Sequence, residues 1–287
     1  MKILVLLAAH LIAITIFLNG FLLTRPSLPH VATYEASSCL PPRYSRVLLL
    51  IVDALRSDFP LPVREETPSK FYHNQFKFVQ HLLLDSPNAV YFHAQADAPT
   101  TTAQRVKAIA TGGLPTMLDL GSAFSMNEIS EDSILHQIRR AGGNMTLLGD
   151  DTWLSACPTC FTRAFAEPSF NVRDLHSVDN AIKSRLFSEM ARDDWTLLVA
   201  HFLGVDHCGH VFGPDTSVMA DKLREMDDVI RDVVGSLPDD TLLVVMGDHG
   251  MTEQVCRVVC WVPDCDGCDV RVVLAVMILC CISWPAN

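Results

Sequence analysis

Asp206 and His210 stand four residues apart in Gly-Val-Asp-His-Cys-Gly-His, and Asp248 and His249 are adjacent in Gly-Asp-His-Gly. One helical turn or a tight loop could aim Asp206 and His210 at a single ion, and carboxylate plus imidazole suits zinc or manganese. Adjacent ligands need a sharply bent backbone, which the glycines flanking Asp248-His249 permit. Asp53, closing the apolar run Arg46–Val52, supplies a third carboxylate. Two ions about 4 Å apart would form the clamp used in many phosphoryl-transfer enzymes. Each piece alone is a weak signal, because a single Asp-x-x-x-His is more often structural. Between the two, His207 and Cys208 read as packing or supporting groups.

Such a centre needs a nucleophile. Thr100, Thr101 and Thr102 precede a predicted helix over Ala103–Ala110, so a hydroxyl could sit at its N-terminus. There a nearby cation lowers the hydroxyl pKa, and unpaired backbone N–H groups can hold phosphate oxygens. A threonine-rich N-cap without chemistry explains the same residues equally well.

These residues need a frame that brings distant parts of the chain together. Short continuous apolar runs at 46–52, 144–150, 195–203 and 241–248 read as strands buried on both faces. Val218–Leu237 has apolar residues three or four apart and charges on its other face, which predicts a core-packing helix. The segment 131–143 predicts another, with Ser130 as its cap and a glycine pair as its stop. Strands alternating with helices indicate an α/β fold with a mostly parallel central sheet flanked by helices. In such sheets ligands bind beyond the carboxyl ends of the strands. Asp53, Asp206 and Asp248-His249 all fall there.

The net charge of −11 and the absence of a basic run exclude a broad nucleic-acid surface. Ile3–Leu23 is apolar enough for one bilayer crossing, and the poor cleavage site after it favours an uncleaved signal anchor. Residues 1–24 are therefore read as an anchor helix and 25–45 as a Pro- and Ser-rich linker. The catalytic-type domain spans 46–252, and 253–287 is a divergent cysteine-rich tail. Ten cysteines behind an anchor fit a compartment that permits disulfides. Cys157-Pro-Thr-Cys160 reads first as a local structural pair, ahead of a redox pair or two free thiols.

Taken together, "DALR", "PTTTAQR", "GDDTW", "PSFNVRDLHSVDN", "HFLGVDHCGH" and "GDHGMT" resemble, in order, the alkaline phosphatase superfamily. More closely, they resemble the ethanolamine phosphate transferases of glycosylphosphatidylinositol (GPI) anchor synthesis. The resemblance covers about Met1–Thr252. It implies a domain in the lumen of the endoplasmic reticulum, anchored in its membrane, and two divalent ions, expected to be zinc. One ion would be held by Asp53, Thr102, Asp248 and His249, with Thr102 as nucleophile and Thr100 and Thr101 as alternates. The other would be held by Asp206, His210 and a further histidine of a downstream His-Gly-Gly motif. The implied substrates are phosphatidylethanolamine and a mannosylated GPI precursor. A small multi-spanning stabilising subunit is the implied partner, although its docking region, a bundle of membrane helices, is not in this sequence.

After His249 the remaining 38 residues contain no histidine. Residues after Thr252 look unrelated to the family, so the expectation is a truncated and impaired transferase domain. A non-catalytic product and a superfamily phosphodiesterase are the rival readings. In the tail, Cys256, Cys260, Cys265 and Cys268 are too cramped for the usual zinc ribbon, although a thiolate from Cys256 could replace the missing ligand.

Overall fold

The computed structural model describes residues 2–21, 30–33, 44–64, 69–114, 128–169 and 171–252. Cys39, the tail and most of the expected linker lie outside the described residues. A helix, α1 (Lys2–Phe21), is long and apolar enough to cross a membrane. The fold then builds one sheet from β1 (Arg46–Val52), β2 (Met145–Asp150), β3 (Arg163–Glu167), β4 (Leu197–Phe202) and β5 (Thr241–Met246). All neighbouring strands are parallel, in the order β3-β2-β4-β1-β5. The α/β class with a mostly parallel sheet is thus the observed one.

Alternation along β1 explains why helices cover both faces. Leu48, Leu50 and Val52 join a cluster with Phe202 and residues of α6 (Ser177–Met190) and α8 (Ser217–Ser236). Ile51 points the other way, toward Val106 of α3 (Thr102–Thr111), Leu135 of α4 (Ile134–Arg140) and Trp153 of α5 (Thr152–Ala156). Successive strand side chains leave opposite faces, so a strand apolar at every position needs two covers. The remaining helices are α2 (Lys77–Asp85) and α7 (Gly204–Phe212).

Four of the five strands fall on the apolar runs. β3, "RAFAE", does not, because its burial is only partial and its run is short. Helix α4 is capped by Ser133 and not by Ser130: the Ser133 side chain accepts from His136 N, three residues on, as an N-cap must. Helix α8 starts where Thr216 accepts from Met219 N.

The topology sets the site. β1 lies between β4 and β5, and Asp53 N donates to Phe202 O at 2.9 Å. The residue that ends β1 is therefore flanked by the chain leaving β4 toward Asp206 and the chain leaving β5 toward Asp248.

Candidate metal-assisted active site

Asp53 is 2% exposed and Asp248 is fully buried. Their neighbour His249 reaches Asp53 Oδ1 with Nε2 at 3.2 Å and Asp248 Oδ2 at 3.6 Å. Thr102, the first residue of α3, donates from Oγ1 to Asp53 Oδ2 at 3.2 Å. Asp53, Thr102, Asp248 and His249, separated by up to 196 residues in sequence, thus meet at the strand ends. The backbone around Asp248 is fixed as well: Asp248 Oδ1 accepts from Ala54 N at 3.2 Å and from His249 N at 2.8 Å. Arg105 Nε donates to Asp248 O at 2.9 Å.

Gly247 serves this corner by its lack of a side chain. A Cβ there would lie 2.7 Å from Leu55 O, so close approach to the turn after β1 requires glycine. Its backbone has no positive φ, so the sequence-based reason, a freer backbone, is replaced by a steric one.

The threonines divide cleanly. Thr101 is the N-cap residue of α3, but its side chain makes no capping hydrogen bond. Thr102 alone has a hydroxyl bonded to a cluster carboxylate. All three threonines line an open cavity of about 350 Å³ together with Asp206, His210 and His249.

Asp206 and His210 lie one turn apart on α7, with Asp206 Oδ2 3.4 Å from His210 Nε2. Asp206 also lies with Asp53 and His249 in a group whose donor atoms are all within 4.8 Å of one another. The His210 side chain is 59% exposed. Helix α7 is held from below by buried Asp179, whose Oδ1 accepts from Leu203 N and Gly204 N at 3.0 and 3.1 Å. Its Oδ2 accepts from buried Lys222 at 3.0 Å. A carboxylate at the N-terminus of α7 meets N–H groups that have no partner inside the helix. The expected supporting role of His207 takes a definite form: its ring nitrogens face Asp174 O at 2.8 Å and Ser169 O at 3.3 Å. Cys208 is buried, and burial pushes its thiol up to about 11.

Electrostatics mark the cluster apart from the rest of the sheet. Burial pushes the Asp53 carboxyl well above its usual range, and the carboxylates of Asp248, Asp206 and Asp150 push the same way. Asp248 ends below its usual range: burial raises it, but His249, His201 and two backbone N–H donors outweigh burial. Burial lowers His249, yet Asp248 and Asp206 carry it above the usual imidazole value. Four buried atoms here have no hydrogen-bond partner: Asp53 Oδ1, Asp150 Oδ2, His201 Nε2 and Asp248 Oδ2. Buried carboxylate oxygens without partners cost several kcal/mol unless a cation or a proton meets them, by roughly the scale for desolvated charge. Oxygen and imidazole donors at this spacing fit a divalent cation.

His201 and Asp150 were not among the residues expected here. His201 lies in the middle of an apolar run and is fully buried, and Asp150 ends β2 beside it. The signal of His201 in the sequence is a polar residue inside a strand that is otherwise apolar, and that of Asp150 is a carboxylate closing a strand, as Asp53 closes the apolar run of β1. Further off, Cys157 and Cys160 form a disulfide just after α5, with His136 Nε2 3.6 Å from the Cys157 sulfur.

A family model for type I phosphodiesterase / nucleotide pyrophosphatase matches residues 140–263. The human GPI ethanolamine phosphate transferase 3 catalytic subunit is 44% identical over 261 residues, covering 83% of this chain and 24% of the relative. A Schizosaccharomyces pombe GPI ethanolamine phosphate transferase 3 is 39% identical over 265 residues, covering 87% of this chain and 28% of the relative. The chain thus spans about a quarter of the length of the curated relatives it matches. Among solved structures, the C-terminal periplasmic domain of EcEptC from Escherichia coli, in complex with Zn, superposes with a TM-score of 0.50 at 13% identity. That superposition covers 74% of this chain and 68% of the other, and it concerns the fold. The parallel sheet with its flanking helices is accordingly the fold of that periplasmic domain, and the chain is similar over most of its length to part of GPI ethanolamine phosphate transferase 3 and over residues 140–263 to type I phosphodiesterase / nucleotide pyrophosphatase.

Proposed function

We propose that this domain transfers phosphoethanolamine from phosphatidylethanolamine to a mannose hydroxyl of a GPI precursor, with Thr102 as the nucleophile. The observation that carries the reading is the Thr102 hydroxyl, 3.2 Å from Asp53 at the start of α3 and facing the cavity shared by Asp206, His210 and His249. Asp53 orients the hydroxyl and takes up its proton-side hydrogen bond, so an oxygen lone pair is free to attack phosphorus. The attack forms a phosphothreonine ester and breaks the bond to the diacylglycerol oxygen, which leaves with the proton released by Thr102. A mannose hydroxyl then attacks the same phosphorus, and Thr102 recovers a proton. Thr102 opens α3, and a helix N-terminus favours the negative charge of a phosphoryl group.

Asp53, Thr102, Asp248 and His249 would hold one divalent ion, and Asp206 with His210 a second, zinc being the identity favoured by the donor set. When bound, such ions stabilise negative charge on the attacking, leaving and phosphoryl oxygens. The four orphaned buried atoms around Asp53 support the first of these sites. The second has only two protein donors among the described residues, so we expect one tightly held ion and one weakly held, with correspondingly low turnover.

The domain reading places residues 46–252 in the lumen of the endoplasmic reticulum, behind the anchor at 1–24 and the linker at 25–45. The segment 253–287 is read as a divergent cysteine-rich tail, in which Cys256 is the candidate replacement for the third ligand of the second ion. A small multi-spanning stabilising subunit is the membrane partner this reading implies. A glycosylation reporter after Asn287 should gain a glycan under this topology, and an unmodified reporter on a stable membrane-bound product would contradict it.

The function test uses the full chain in detergent with zinc and phosphatidylethanolamine. Mass spectrometry should find phosphoethanolamine on the peptide containing Thr102, released when a mannosylated GPI precursor is added. Release by water alone, at the same rate with or without the precursor, would favour a phosphodiesterase, the activity named in the matching family model. No adduct and no turnover would leave a non-catalytic chain.

A further inference from the structure

His201 is completely buried in the centre of the sheet, beneath the proposed cation cluster. Its Nε2 lies 3.9 Å from Asp53 Oδ2, and it falls with Asp53 and Asp248 in a group whose donor atoms are all within 4.8 Å. By position alone it could be another ligand. The opposite side of the ring argues otherwise. Trp153 Nε1, which can only donate, bonds His201 Nδ1 at 3.0 Å. Nδ1 therefore carries its lone pair toward the indole, and in the neutral ring the proton sits on Nε2. Asp150 Oδ2, the other neighbour of Nδ1, is further off at 3.4 Å. A protonated Nε2 has no lone pair for a cation. It has an N–H to offer carboxylates.

We infer that His201 is a positioning residue of the cation site: its Nε2–H holds the carboxylates of Asp53 and Asp248 while Trp153 fixes its tautomer. The inference rests on the proposed cation site and deepens it. The surroundings fit the role. Asp53 Oδ1 and Asp248 Oδ2 lack hydrogen-bond partners, and so does His201 Nε2. Two carboxylates that must face one cation repel each other, and a fixed N–H donor behind them holds them at a defined angle. Asp150 and Trp153 are themselves pinned: Asp150 Oδ1 accepts from Thr152 N at 2.8 Å and from Ser169 Oγ, and Trp153 is 1% exposed on α5. The chain behind the site is thus Trp153 to His201 to the Asp53–Asp248 pair.

The test measures metal affinity as well as activity, using the full chain in detergent. Zinc affinity is measured by competition with a chelating dye, and the cobalt-loaded protein gives a visible spectrum that reports the ligands directly. H201M fills the volume without a donor, whereas H201Q can place an N–H near the position of Nε2. Loss of a partner of this kind weakens metal binding by about 10- to 100-fold. We expect that loss in H201M and a recovery in H201Q to a loss smaller than about 10-fold, the low end of that range. The cobalt spectrum of H201Q should match that of the wild type. Zinc affinity unchanged in H201M would overturn the inference, as would an H201Q spectrum altered in the manner of a lost imidazole ligand. Melting of the metal-free variants checks folding; if H201M does not fold, H201Q alone decides, by affinity and spectrum. Zinc binding that obeys this pattern without any transfer activity would refute the transferase reading and leave His201 in place. A wild-type chain that holds no zinc would overturn both.

Discussion

Asp53, buried behind Thr102 and His249, and His210, on the cavity wall, stand for two halves of one site that are built in opposite ways. The half around Asp53 and Asp248 sits on strand ends, with side chains 2% and 0% exposed, and several of its polar atoms have no hydrogen-bond partner, only the His249 imidazole nearby. The half around Asp206 and His210 lies on one turn of α7, where the two residues face each other and His210 is 59% exposed. A buried carboxylate cluster is unfavourable until a cation arrives, so its geometry is the mark of a binding site. An exposed i, i+4 pair is satisfied by itself and by water, so its geometry alone says little. What raises Asp206 above an ordinary surface pair is its place within 4.8 Å of Asp53 and His249.

The largest expected effect separates the chemistry from both halves. T102A should lower transfer by about 10³-fold or more, as removal of a nucleophile does, and should abolish the covalent adduct seen by mass spectrometry. T100A and T101A should keep the adduct. An adduct that survives T102A would assign the nucleophile elsewhere.

Next is the support beneath the exposed half. D179N leaves Lys222 buried opposite an uncharged amide and weakens the anchor of α7, so unfolding stability should drop by about 3 kcal/mol. Denaturant titration measures it. A loss below about 1 kcal/mol, the scale of an exposed pair, would mean that Lys222–Glu225, at 2.8 Å, suffices.

The buried half should also show itself through pH. In the metal-free chain, folded Asp53 keeps its proton above the ordinary carboxylate pKa of about 4, so the folded state binds more protons and stability falls as pH rises through that window. The raised His249 adds to the same trend, its stabilisation being complete below about 6.5 and lost as pH rises through its folded value. Asp248, held low, contributes stability above about pH 4 that disappears only in stronger acid. Melting in EDTA should therefore fall from about pH 5 to pH 8, and D53N should flatten the slope; bound zinc should flatten it too. A D53N slope equal to that of the wild type would remove Asp53 from the cluster's energetics.

The smallest effect tests the exposed half itself. H210A should change folding stability by less than about 0.5 kcal/mol, the ordinary worth of an exposed i, i+4 pair. It should lower occupancy of the weaker ion while the tighter one stays bound. Loss of both ions on H210A would show that the two halves are one cooperative site.

The sequence by itself determined a good deal of this protein. Apolar runs named four strands, and a parallel sheet then put Asp53 and Asp248-His249 on one edge, because parallel strands all end on the same side. Thr102 was legible as a residue opening a helix, and Asp206 and His210 as one helical turn. What only the tertiary structure decided was which groups face each other across that edge. Strand order is not written in any local pattern: β1 could have been placed beside β2, and its position between β4 and β5 is what brings His201 and Asp150 behind Asp53. His201 reads locally as one polar residue in an apolar run. Its role depends on an indole that lies 48 residues away and can only donate. Asp179 was legible only as part of a motif, and its contact with the start of α7 depends on the packing of α6 against β4 and α8. Periodicity fixes which face a residue takes, but a hydrogen bond between elements depends on how those elements pack, which is settled by the whole core at once.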